Sequence, residues 1–453
     1  MKTKRSSLSE IPRFYFPNGK PISQEVRTET RQKVSAFFDQ LKGGHARGHR
    51  QLGALLEQVL ELPSFFSLPL FNKLAKGGGE DPKAVTEDAF FAFWDERLAK
   101  CDHKGRAFEI LCDEATTSGS TGEGSCEDRA LRSGHGCPGW MKAVTKRGLH
   151  DLVECVVKTH PGLDFLVQTK EFQDRYLETC VYRILYTVNL ADNGRITLKE
   201  FRKSILLETL LDLEAEPDIN LVRPFFSYEH FYVIYCKFWE LDRDHDFLVS
   251  KEDLLGYGSH ALTCRIVDRI FAEAARKFTC DVPGNMSYED FVWFILSEED
   301  KTTETAINYW FRCLDLHGNG VLVSHELEHF YQEQSHRIEC LNQDPVQFED
   351  ILTQLTDMVH PEMAGVFALK DMKQNPRQAS NLFNVLFNLK KFFSFEMKDP
   401  QREQRSEGLS DWDRFARDEY ARLSLEEEMA EEANGNIECF IDETEHLLEA
   451  MET

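Results

Sequence analysis

The chain has no run of the roughly 18 apolar residues that a membrane-spanning helix needs. Its twelve cysteines contain no Cys-x-x-Cys pair, which excludes a thioredoxin-like motif and suits reduced thiols in a cytosolic protein. Positive charge is scarce, with 53 Lys and Arg against 78 Asp and Glu and a net charge of −25. Phosphate neutralisation requires clustered cations, so no nucleic-acid partner is expected. Such a surface suits divalent cations or basic partner surfaces instead. Gly-x-Ser-x-Gly, P-loop and His-Glu-x-x-His patterns are missing and the histidines are dispersed, so no catalytic residue and no organic cofactor is assigned. The first ten residues hold no apolar signal core, position 2 is Lys2 and the chain ends Met451-Glu452-Thr453; neither secretion nor a lipid anchor is expected.

What is present is helical periodicity. Apolar residues recur at three- and four-residue spacing over 24–62, 87–98, 150–157 and 171–187. The expected organisation is an N-terminal helical region (11–113), a flexible Ser/Thr/Gly-rich insertion (114–139), a helical domain with degenerate loops (140–240), calcium-binding pairs (241–398), and a charged C-terminal helix with an acidic tail (399–453). In that last region Trp412, Phe415 and Tyr420 mark a helix packed on the body, and the run from Glu426 to Glu432 reads as a solvated face. A zinc site from Cys101, His103, Cys126, His135 and Cys137 matches no common ligand spacing. The fold class is mainly α, an elongated array of paired EF-hand helix-loop-helix units behind an N-terminal helical region.

The metal-binding signal lies in two loops. An EF-hand presents oxygen ligands at loop positions 1, 3, 5, 7, 9 and 12, position 7 through its backbone carbonyl, and needs an apolar residue at position 8. From Asp242 to Asp253 these positions hold Asp242, Asp244, Asp246, Leu248, Ser250 and Asp253, with Val249 at position 8. Phe247 replaces the usual Gly at position 6, and Asp253 is one methylene shorter than Glu; both predict weaker binding. From Asp315 to Glu326 the ligands are Asp315, Asn319, Val321 and Glu326, with Gly320 at position 6 and Leu322 at position 8. His317 and Val323 stand where oxygens belong, so this is the weaker site. Segments 279–290 and 360–371 keep Gly284, Met286 and Asp290, or Gly365, Phe367 and Asp371, without the other ligands. Loop starts at 242, 279, 315 and 360 recur at close to a helix-loop-helix period, which pairs the first with the second and the third with the fourth. A further copy, Asn189–Glu200, keeps Gly194, Ile196 and Glu200 and is expected to be structural.

Aromatic-rich stretches accompany these loops. Phe226-Ser-Tyr-Glu-His-Phe-Tyr-Val-Ile-Tyr-Cys-Lys-Phe-Trp-Glu-Leu-Asp242 enters the first loop, and Met286 to Lys301 leads through Tyr309-Trp-Phe-Arg-Cys313 into the other. Together with Ile11-Pro-Arg-Phe-Tyr-Phe-Pro17, Thr159-His-Pro-Gly-Leu163 and Ser410-Asp-Trp-Asp-Arg-Phe415, they closely resemble the B-double-prime regulatory subunits of protein phosphatase 2A. At three- and four-residue spacing the same aromatics are also buried helix faces.

The resemblance implies a non-catalytic, calcium-responsive subunit that docks on the phosphatase scaffold and catalytic subunits and directs them to phosphoprotein substrates. It implies calcium as the ion at both loops, and a cytoplasmic location with nuclear and cytoskeletal or centrosomal sites as further candidates. In the family Asp at position 12 and a bulky residue at position 6 are also usual in the first loop. Acidic residues usually stand where this chain has His317 and Asn319. A free calcium sensor is the first rival, although its Met-rich grooves fit poorly with nine methionines. A cytoskeleton-associated EF-hand scaffold is the second.

Overall fold

The computed structural model describes residues 23–41, 43–75, 84–113, 142–396 and 408–430. The Ile11–Pro17 motif, the 114–139 insertion with Cys126, His135 and Cys137, and the tail beyond 430 lie outside the described residues. Among the described residues helix dominates, and the strands form four two-stranded antiparallel ribbons. Each ribbon joins two helix-loop-helix units, so short apolar segments inside polar loops become ladders once the loops face one another.

Two compact units emerge, one from residues 1–173 with 191–218, the other from 174–190 with 219–453. The first unit holds the ribbons His45–Ala46 with Val85–Thr86, and Val144–Thr145 with Arg195–Ile196. Its core gathers Val34, Phe38, Leu56, Phe66, Phe90, Trp94 and Leu152. The helical run expected over 24–62 is interrupted here. Gln24–Gln40 is helix, but Gly43 and Gly44 take φ of 90° and 68°, and the chain then enters the strand His45–Ala46. Left-handed backbone at two successive glycines cannot continue an α-helix.

The second unit carries the ribbons Leu248–Val249 with Met286–Ser287, and Val321–Val323 with Val366–Ala368. Loops 242 and 279 therefore pair, as do 315 and 360, the partners that spacing assigned. Phe231, Phe238, Phe291, Phe294 and Trp310 are fully buried in its core, so the aromatic stripes are packing faces. Between the two pairs lies a buried ion pair, Lys301 Nζ to Glu298 Oε1 at 2.5 Å, with Lys391 at 3.2 Å and Asn388 at 2.7 Å on the same oxygen.

Helix 411–430 belongs to this unit as well. Ser410 and Asp413 start it with reciprocal hydrogen bonds of 3.2 and 3.0 Å, a capping box. Trp412 is buried, and its indole N–H donates to His230 Nδ1 at 3.1 Å. Lys237 pairs with Glu419 at 2.5 Å and Arg422 with Glu240 at 2.8 Å, fastening the helix along Tyr228–Leu241. Glu426 and Glu428 are exposed, the solvated face expected of the acidic run.

Candidate metal centre

Helix Tyr228–Leu241 begins on Ser227, whose hydroxyl accepts the His230 N–H, and ends on Asp242. Asp242 is fully buried at this C-terminus. Its Oδ1 accepts the Asp246 N–H at 3.2 Å and its Oδ2 the Phe247 N–H at 3.0 Å, folding the loop around the carboxylate. Asp246 Oδ1 in turn accepts the Leu248 N–H at 2.8 Å. Carboxylate oxygens of Asp242, Asp244 and Asp246 all lie within 4.8 Å of one another. Burial pushes the Asp242 carboxyl above the ordinary range; the Phe247 and Asp246 N–H groups oppose this, and the charges of Asp246 and Asp244 add to it. Three convergent acidic side chains, one desolvated, make a donor set that fits a hard divalent cation with oxygen ligands.

The remaining positions of this loop are differently engaged. Asp253 Oδ2 accepts the Ser250 N–H at 3.0 Å and the Ser250 hydroxyl at 2.6 Å, and the Ser250 hydroxyl accepts the Asp253 N–H at 3.2 Å. This capping box starts helix Lys251–Leu255, so Ser250 and Asp253 serve the exit helix. Leu248 is in the ribbon opposite Ser287. His245 and Phe247 take φ of 60° and 62°, left-handed conformations that cost a side-chain-bearing residue about 1–2 kcal/mol. Aromatic contacts hold both in place. Trp239 stacks on His245 with centroids 4.0 Å apart, Phe238 stacks on Phe247 at 6.2 Å, and the Arg175 guanidinium lies 4.8 Å over the Phe247 ring.

The 315–326 loop repeats the same turn with different residues. Helix Glu304–Leu314 ends on Asp315, whose Oδ1 and Oδ2 accept the Asn319 and Gly320 N–H groups at 3.1 and 2.8 Å. Asn319 Oδ1 accepts the Val321 N–H at 3.1 Å, the counterpart of Asp246 and Leu248. Gly318 and Gly320 occupy the two left-handed positions, at φ 65° and 79°. Glu326 is fully buried and turned into the loop. Its Oε1 accepts the Leu316 and His317 N–H groups at 2.9 and 3.2 Å and touches His317 Nδ1 at 2.8 Å; its Oε2 accepts the Val323 N–H at 3.1 Å. The structure thus turns Asp315 and Asn319 onto the loop's own N–H groups and spends part of Glu326 on an imidazole; among the described residues Asp315, His317 and Glu326 do not converge within 4.8 Å as the first loop's triad does.

Two features of the ribbons and the 315–326 loop are not legible in the sequence. The first is the ribbon pair of the N-terminal unit, whose strands are two residues long and give no alternation to detect. The second is the contact of His317 with Glu326, invisible until the loop closes. A surface trio, His150, Asp151 and Glu154, also brings three potential ligand atoms within 4.8 Å. Lys158 at 2.5 Å from Glu154 and Asn72 at 3.0 Å from Asp151 already serve those carboxylates, and the trio lies on one helix.

Comparison with known proteins agrees with this geometry. A family described as an EF-hand domain matches residues 139–216, and one described as an EF-hand domain pair matches 231–332. The chain is 43% identical, over 95% of its length and 76% of the relative's, to the B''epsilon regulatory subunit of serine/threonine protein phosphatase 2A from Arabidopsis thaliana. It is 41% identical over 92% of its length to the human B'' alpha regulatory subunit, of which the match spans 34%. Among solved structures, a chain of a PP2A PR70 holoenzyme superposes with a TM-score of 0.53 at 47% identity, covering 57% of this chain and 95% of that one.

Proposed function

The chain belongs to the B'' regulatory subunits of serine/threonine protein phosphatase 2A, which are non-catalytic, and from that premise we propose that it joins the scaffold and catalytic subunits, directs them to phosphoprotein substrates, and responds to calcium at 242–253. The observation that carries the calcium reading is the convergence of Asp242, Asp244 and Asp246 within 4.8 Å at the end of a buried aromatic helix. Calcium supplies, when bound, the positive charge that lets these carboxylates remain ionised side by side. Asp242 closes helix Tyr228–Leu241 and Asp253 lies in the first turn of Lys251–Leu255; recruiting Asp253 from its capping box to the ion would join the two helices through one ligand set and fix the angle between them. Asp315, Asn319, Val321 and Glu326 make the second, weaker site of this proposal. Helix 411–430, pinned along Tyr228–Leu241, moves with the first loop.

For location we propose the cytoplasm, with nuclear and cytoskeletal or centrosomal pools. Free buried thiols such as Cys155, Cys180 and Cys313 suit a reducing compartment. Imaging of the tagged chain tests this.

Affinity capture of the tagged chain from cell extract, in calcium and in chelator, tests the assembly. Recovery of scaffold and catalytic subunits, stronger with calcium, is the expected result. Equal recovery in both conditions would reduce calcium to a structural ion, and absence of phosphatase in both would overturn the subunit reading.

A further inference from the structure

The second loop, 279–290, differs from the other three of its unit in how it is entered. Helices Tyr228–Leu241, Glu304–Leu314 and Phe348–Val359 run directly into their loops. Helix Cys264–Phe271 stops well short of Thr279, and Glu273 turns left-handed at φ 53°. The non-helical stretch that follows delivers Arg276 into the loop. Its Nη1 lies 2.7 Å from Asp290 Oδ1, with the two side chains 13% and 1% exposed. The guanidinium also lies 4.5 Å over the ring of Trp293, itself buried.

The hydrogen bonding of this loop is inverted relative to its partner. In 242–253 the first residue accepts N–H groups from inside the loop through its carboxylate. In 279–290 the first residue is a donor, because the Thr279 N–H reaches Asp290 Oδ1 at 3.0 Å and Oδ2 at 2.9 Å. The Ser287 hydroxyl donates to Oδ2 at 2.8 Å. Asp290, at the twelfth position, is therefore saturated by a guanidinium, a hydroxyl and backbone N–H groups. A buried carboxylate costs several kcal/mol unless paired, so something cationic has to stand beside it, and a side chain of the chain already does.

We infer that Arg276 is the resident cation of the 279–290 loop, standing where a metal ion would, and that the first loop pair therefore binds one calcium ion, at 242–253, without cooperativity. The 279–290 loop stays ordered when calcium is absent. Its ribbon with Leu248–Val249 holds the acidic loop half-formed, so ion release need not unfold the pair. This rests on the calcium reading of 242–253, and its own test separates the two.

The experiment uses the full chain with Asp315→Ala, which leaves only the first pair to count, and titrates it with calcium. The expected result is one equivalent with a Hill coefficient of about 1. Two equivalents, or a coefficient approaching 2, would overturn the inference, whereas no binding at all would strike the calcium reading and leave Arg276 to the second arm. That arm measures thermal midpoints in chelator. Arg276→Met should lower the midpoint on the order of 10 °C by stranding Asp290, and adding Asp290→Asn should recover most of the loss. A packing role for Arg276 alone would not give that recovery, and a wild-type midpoint for Arg276→Met would refute the assignment. Arg276→Lys, which keeps the charge without the planar fork, should fall between and serves if the Met variant does not fold.

Discussion

The loops at 242–253 and 315–326 fold into the same turn from opposite chemical starting points. The first has three carboxylates within 4.8 Å but places His245 and Phe247 at left-handed φ. The second places Gly318 and Gly320 there, and has lost a carboxylate to His317. Ligand charge and backbone ease are thus separable contributions to one site. The first loop compensates its backbone cost with the Trp239, Phe238 and Arg175 contacts, while the second has a relaxed backbone around a depleted ligand set. Charge should dominate affinity, because each added carboxylate faces a divalent ion directly, whereas two left-handed residues cost only about 2–4 kcal/mol before compensation.

The hardest blow to the comparison is Asp242→Ala. It removes a ligand and takes the carboxylate acceptor from the N–H groups of Asp246, which is exposed, and Phe247, which is half-buried, at about 1 kcal/mol each. Calcium affinity at the first loop should fall more than about a hundredfold, read by calorimetric titration, with the ordering of helix 411–430 weakened in chelator as well. Retained affinity would show that the triad is not the site.

A pH series separates the loops without touching a ligand. Burial pushes the Glu178 carboxyl up to about 7, with a hydrogen bond to Glu289 adding to the shift and Arg175 opposing it. The unfolded value is about 4.3, so between that pH and about 7 the folded chain holds a proton that the unfolded chain has released. Stability from this group is therefore complete below about pH 4.3 and is lost as pH rises from there through about 7, on the order of 3–4 kcal/mol. Glu178 touches Arg175, which lies over Phe247, so the loss should register as faster amide exchange in 242–253 and not in 315–326. Glu178→Gln should flatten the slope; an unchanged slope would locate the titrating group elsewhere.

The second loop offers the converse test. His317 is 54% exposed on its side chain and occupies Glu326 Oε1. His317→Asp should free that oxygen, supply a third-position carboxylate, and raise calcium affinity at 315–326 about tenfold. No gain would mean that Val323 at the ninth position limits the site.

Much of this was legible in the chain, and the reasons differ by element. Asp242, Asp244 and Asp246 were readable because ligand spacing is local and the loop closes on its own backbone. The pairing of 242 with 279 and of 315 with 360 followed from loop spacing. The His45–Ala46 ribbon was not legible, since its partner Val85–Thr86 lies far along the chain and neither strand has a period. Arg276 escaped because nothing in a loop template asks about the residues before it. Its role depends on a helix that stops at Phe271 and on Trp293 beneath the guanidinium.

Phe247→Gly yields the smallest effect on calcium affinity, because it removes no ligand and two terms oppose in the fold. Glycine at φ 62° relieves about 1–2 kcal/mol of left-handed strain, less about 0.5–1 for its freer unfolded chain. Against that stand the stack on Phe238, about 0.5–1.5 kcal/mol, the Arg175 guanidinium, about 0.5–1, and the half-buried ring itself, about 1. The losses exceed the gain by about 2 kcal/mol, so the variant should melt a few degrees lower in chelator and bind calcium with little change. A variant clearly more stable than the wild type would mean that strain outweighs stacking, and the first loop would then be an acidic site held open at the expense of its own fold.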